Sequence, residues 1–124
     1  MEFLDDRSIR RAVKTIGCLP FNNRFYLDVK VEGFSAKNVF EKKEEYASDQ
    51  KSWFRTSRDV EASFRALIRI GVLRREVDGQ GLTEKIRLTP LGRQLLEDKP
   101  DLSMQKISAF EKMILWFSIK WFWQ

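Results

Sequence analysis

The stretch TSRDVEASFRALIRIGVLRREVDGQGLTEKIRLTPLGRQLLE, residues 56–97, decides the fold, because each of its boundaries carries a local stop or start signal. Thr56 or Ser57 can cap a helix whose first turn holds Asp59 and Glu61, the favoured sign at that end of the helix dipole. Val60, Phe64, Leu67 and Ile68 follow at helical spacing and predict a buried stripe. Arg58, Ala62, Arg65 and Arg69 recur on another side, so arginines surround a small residue that permits close approach. Gly71 is the expected stop. The runs VLRREV and LTEKIRL around DGQG then predict a β-hairpin, decorated by Arg75, Lys85 and Arg87. Thr89 caps the next helix with Pro90 in its first turn, and Leu91, Leu95 and Leu96 supply its apolar stripe.

The same stretch holds the chain's excess charge. The formal net charge is +5 over 124 residues. Residues 51–93 contain ten Lys and Arg against five Asp and Glu, whereas the segments on either side are each balanced. Eight of the ten are arginine: Arg55, Arg58, Arg65, Arg69, Arg74, Arg75, Arg87 and Arg93. Guanidinium presents a planar fork of donors that matches phosphates and guanine edges, which a merely solvated surface does not require.

Upstream, residues 5–16 read as a first helix with Ile9, Ala12, Val13 and Ile16 on one stripe, Arg7, Arg10, Arg11 and Lys14 away from it, and Gly17 and Pro20 ending it. RFYLDVKVE, residues 24–32, alternates and predicts a half-buried strand, with Phe25, Leu27, Val29 and Val31 on the inner face. Ser35 is the expected N-cap of a second helix running to about Ala47, with Val39, Phe40 and Tyr46 inward. Trp53 and Phe54 are expected to anchor the following connection on the core.

Downstream, Asp98 to Asp101 with Pro100 breaks the chain before a last helix over residues 103–124. Ile107, Phe110, Ile114, Phe117 and Trp121 recur there at alternating steps of three and four, the seam of a coiled-coil-like contact. Met113, Leu115, Trp116, Ile119, Phe122 and Trp123 widen it until the end is apolar almost all round, which implies a second surface to cover it. A homodimer seam is the leading expectation; packing within one chain, or docking on a membrane surface or another protein, are the alternatives.

Composition narrows the chemistry. A chain of this length with 43% hydrophobic and 33% charged residues and sixteen aromatics predicts one folded domain. With no histidine and one cysteine, Cys18, zinc clusters, Ser-His-Asp triads and intramolecular disulfides are excluded. Cys18 is expected to be a small buried apolar residue. The carboxylate pairs Asp5 and Asp6, and Glu44 and Glu45, diverge on a helix rather than converge on a site, so no enzyme and no cofactor are expected. The N-terminus lacks an apolar run of signal-peptide length, and the apolar run over residues 113–123 spans only about 17 Å as a helix, so a cytoplasmic location is expected.

The predicted order is helix, strand, helix, helix, hairpin, helix, with charge on the third helix and the hairpin. A winged helix-turn-helix needs this arrangement: one helix in the major groove and a basic two-stranded wing on the adjacent backbone. The stretch 56–97, above all GVLRR and IRLTPLGRQLL, resembles the second half of winged-helix transcription regulators of the MarR or PadR kind. The expected fold is therefore α+β and mainly helical, a winged-helix domain over residues 1–102 followed by a dimerisation-type helix over 103–124. The resemblance implies a recognition helix over 57–70 and a wing over 72–88. Ser57, Arg58, Ala62 and Arg65 are then expected at base edges of double-stranded DNA, and Arg69, Arg74, Arg75, Lys85 and Arg87 at phosphates. The alternative expectation is a winged-helix interaction module whose arginine face or Trp-rich tail meets a protein or membrane surface.

Overall fold

The computed structural model describes residues 6–49 and 51–98. They form a mixed α/β fold, mostly helical, with one two-stranded antiparallel sheet. The elements in chain order are α1 (Asp6–Cys18), α2 (Asn23–Val31), α3 (Ala36–Phe40), α4 (Lys43–Tyr46), α5 (Ser57–Arg69), β1 (Leu73–Asp78), β2 (Gly81–Leu88) and α6 (Pro90–Asp98). The expected helix after residue 103 and its apolar seam lie outside the described residues.

Helix α1 buries Ala12 and Ile16 and half-buries Ile9 and Val13, while Arg7, Arg10, Arg11 and Lys14 are exposed, as its periodicity predicts. It runs past the expected stop: Gly17 is a buried helical residue, and the helix ends at Cys18, itself buried, two residues before Pro20.

The expected strand over residues 24–32 is a helix, α2. The alternating pattern was ambiguous, because Phe25 and Val29 lie four apart and share a face in either geometry. What separates the two is the rest of the pattern. Tyr26, expected outward, is buried, whereas Leu27 and Val31, expected inward, are 61% and 76% exposed. The spacing of Phe25, Tyr26 and Val29 is that of a helix face. Asn22 starts the helix by accepting the Phe25 N–H at 3.0 Å, and its amide donates to Glu45 O at 2.8 Å. That second bond comes from a segment 23 residues away, beyond the reach of any local pattern.

The helix expected from Ser35 to about Ala47 is two short ones. Ser35 does cap α3, in a reciprocal box with Asn38, but α3 stops at Phe40 and a new turn, α4, begins at Lys43. The break lets residues 46–48 turn back against residues 20–22. There Asn22 N–H donates to Tyr46 O at 2.9 Å, Ser48 N–H donates to Pro20 O at 2.8 Å, and Phe21 forms an antiparallel bridge with Ala47. Trp53 and Phe54 anchor the next connection as expected. Both rings pack on buried Phe21, and the Trp53 indole donates to Phe40 O at 3.3 Å.

From Thr56 onward the local signals hold. Thr56 accepts the Asp59 N–H at 3.2 Å and starts α5, which buries Val60, Phe64 and Leu67. Gly71, at φ +88°, ends it: Gly71 N–H donates to Ile68 O at 3.0 Å and Val72 N–H to Leu67 O at 2.9 Å, a Schellman closure that needs a left-handed residue. The hairpin pairs Leu73 with Leu88 and Arg75 with Ile86, then shifts register between Arg75 and Val77 before Asp78 meets Gly81. An isolated antiparallel bridge between Phe34 and Ile86, with both backbone bonds made, adds the link before α3 to the outer edge of β2. Thr89 then caps α6 by accepting the Gly92 N–H at 3.0 Å. The core joins α1, α2, α5, the hairpin and α6 through Ile16, Phe21, Phe25, Val29, Phe64, Leu67, Leu73, Ile86 and Leu95.

Candidate nucleic-acid interface

The starts of α3 and α5 and the inner side of the hairpin enclose an open cleft of about 610 Å³. Its lining includes Lys37 from α3, Ser57, Arg58, Glu61 and Arg65 from α5, and Arg75 and Thr83 from the hairpin. The fold brings these residues together because α3 packs on α5 while the Phe34–Ile86 bridge fixes the hairpin beside both. Four cations and two carboxylates, Glu61 and Glu84, therefore line a cleft that runs along the first turns of a thirteen-residue helix. The N–H groups of such a helix end favour an anion electrostatically.

One carboxylate organises two of those cations. Glu61 accepts from Arg65 Nε at 3.0 Å along α5, and from Arg75 Nη2 across to the hairpin. The other arm of Arg75, Nη1, donates to Glu84 O at 2.9 Å, so its guanidinium is held at both ends. Arg75 and Glu61 are largely covered, with 20% and 26% of their side chains exposed, whereas Arg65 retains 49%.

The expected base-edge residues Ser57, Arg58 and Arg65 line the cleft, and Ala62 is a half-buried neighbour on the same helix. Of the expected phosphate residues only Arg75 lines it. Arg69, at the far end of α5, is exposed, as are Arg74 and Lys85 on the hairpin. Arg87 is tied inward: Nη1 pairs with Glu76 at 3.3 Å and Nη2 donates to Lys30 O on α2 at 3.1 Å. Gly33 makes room for this pair, since a Cβ there would lie 2.2 Å from a Glu76 carboxylate oxygen. Arg87 thus pins the hairpin to α2. The dimer-seam residues lie outside the described residues.

Lys37 and Thr83 carry no signal of their own in the sequence. Each sits in a polar run with no special spacing, and only the packing of α3 and the hairpin against α5 brings them to the cleft. A second, smaller cleft of about 200 Å³ lies between α2 and α6, lined mainly by Tyr26, Leu27, Leu88 and Leu96. Among the described residues no cluster of His, Cys, Asp or Glu could hold a metal ion, and no helix is long and apolar enough to cross a membrane.

Fold and cleft together define a small, mainly helical α/β protein with an arginine-rich helix–hairpin junction. The chain belongs to the Npun_F0494-like family, whose model matches residues 3–118. No curated protein and no solved structure matches it.

Proposed function

We propose that this protein is a double-stranded DNA-binding protein of the winged helix-turn-helix kind, acting as a transcriptional regulator rather than an enzyme. The observation that carries the reading is the cleft between a helix start and a hairpin whose lining includes Lys37, Arg58, Arg65 and Arg75. The element order supports it: α2, the isolated bridge at Phe34, α3, α5 and the hairpin follow the sequence of a winged helix, with α5 as recognition helix and β1–β2 as wing. Residues 41–56, including α4, form a longer connection between α3 and α5 than the motif's usual short turn.

In this reading Ser57, Arg58 and Arg65 reach base edges, with Ala62 allowing close approach. Arg69, Arg74 and Lys85 reach phosphates. Arg75 and Arg87 act mainly by fixing the wing, since both guanidiniums are engaged by protein acceptors. The seam of Ile107, Phe110, Ile114, Phe117 and Trp121 would join two copies, presenting two recognition helices to a two-fold site.

A second reading, a protein-interaction module, draws on exposed apolar side chains. Leu27 and Val31 lie one turn apart on α2, and the cross-strand partners Val77 and Leu82 sit near the hairpin tip at 62% and 77% exposure. Phosphate contacts do not need such residues.

Fluorescence anisotropy with a mixed-sequence duplex across a salt series tests the proposal. Log affinity falling steeply with log salt, as about four to eight phosphate contacts require, supports it. A folded protein that binds no duplex at low salt refutes it and favours the interaction module.

A further inference from the structure

Glu61 occupies a place that simple electrostatics argues against: a carboxylate set among Lys37, Arg58, Arg65 and Arg75 in a cleft whose lining also includes Glu84. A surface built only to attract polyanions would gain by replacing it, because an acidic group beside phosphate is repelled at close range. What it does instead is geometric. One of its oxygens, Oε2, accepts from Arg65 on α5 and from Arg75 on the hairpin, so a single group fixes two guanidiniums belonging to different elements. Arg75 is clamped from its other side by Glu84 O. Arg65 donates through Nε to the same carboxylate, a charge-assisted bond that ties its guanidinium to the residue one turn earlier on α5.

Resting on the DNA-binding reading above, we infer that Glu61 is the specificity-determining residue of the cleft. It positions the Arg65 fork for one base step and withholds Arg65 and Arg75 from indiscriminate phosphate pairing. Its negative charge lowers affinity for any duplex, and the order it imposes raises discrimination between duplexes. Preference is a difference of affinities, so a repulsive element can improve it while weakening binding overall.

The test compares the full chain with E61Q and R75Q, using duplexes selected by the wild-type protein from a randomised library and an unselected mixed duplex. E61Q keeps size and an acceptor oxygen but removes the charge. It is expected to bind the mixed duplex roughly three- to tenfold more tightly at low salt, to steepen the salt slope by about one, and to lose on the order of tenfold in preference for the selected duplex. R75Q cuts the same link from the hairpin side and removes a cation, so it is expected to lose preference too while binding the mixed duplex more weakly. A pure charge effect would move the two affinities in opposite directions and leave both preferences at the wild-type ratio, and that result overturns the inference. So does a loss of preference seen only in a variant whose melting temperature has dropped. Wild-type protein that binds no duplex fails at the first comparison and overturns the DNA-binding reading itself, before either variant is measured.

Discussion

Gly92 on α6 lies against the backbone of Val72, so closely that a Cβ on Gly92 would sit 2.5 Å from the Val72 carbonyl oxygen. That oxygen also accepts the Thr89 N–H at 3.0 Å, so α6 starts where the chain leaves α5 for the hairpin. The glycine in the run LTPLGRQLL is thus a packing residue: it lets a helix rest on a backbone carbonyl.

Gly92→Ala should therefore destabilise the fold even though alanine is the better helix former. The helix preference favours the variant by about 1 kcal/mol, but the new methyl meets backbone and the Leu88 side chain at 2.7 Å. Overpacking of this kind costs roughly 1–3 kcal/mol or more when backbone must move. Thermal denaturation is expected to show a lower midpoint for the variant; an equal or higher one would mean that α6 is free to shift.

Asn22→Ala should be costly for a residue of modest exposure. It removes the N-cap of α2, worth about 1 kcal/mol, and leaves Glu45 O without the amide donor that now lies 2.8 Å away. A loss of roughly 2 kcal/mol in denaturant unfolding is expected. A loss below about 0.5 kcal/mol would show that α2 does not depend on the 45–47 segment.

Arg87→Ala and Lys85→Ala should separate stability from binding. Arg87 holds Glu76 and Lys30 O, so its loss is expected to cost about 1–2 kcal/mol of stability, allowing for partial solvent screening. Lys85 is exposed, so Lys85→Ala is expected to leave melting unchanged and to reduce the slope of log affinity against log salt by about 0.9. Swapped outcomes would contradict the inward placement of Arg87.

Alkaline pH should unfold the protein earlier than its basic composition suggests. Burial pushes the Tyr26 phenol well above its usual 10.0; burial also raises Tyr46, helped by its hydrogen bond to Asp28. In the unfolded chain both tyrosines ionise near pH 10, whereas in the fold both hold their protons. Stability is then complete below pH 10 and falls above it, by up to about 1.4 kcal/mol per pH unit for each tyrosine. Melting temperature against pH from 8 to 11.5 reads this directly, and Tyr46→Phe should flatten the fall.

A paired substitution in the apolar seam, Ile114→Glu with Phe117→Glu, should halve the mass measured by light scattering if residues 103–124 join two copies. An unchanged mass would remove the homodimer from the proposal.

Sequence by itself determined the run from Thr56 to Leu96, because each boundary there is decided within a few residues. Thr56 and Thr89 cap their own helices, Gly71 closes α5 on its own last turn, and the glycines of DGQG turn the hairpin on itself. The charge excess of the same run was countable in advance. Only the tertiary structure decided that residues 23–31 are helical, since Phe25 and Val29 satisfy two periodicities at once. The deciding terms are the Asn22 bonds to a segment over twenty residues away and the burial of Tyr26. The cleft divides the same way. Arg65 and Glu61 are legible as an i, i+4 pair on one helix, but Arg75 reaches Glu61 only because the hairpin folds back across α5. A side chain's partner on its own helix follows from helical geometry, whereas a partner on another element depends on how the whole core packs.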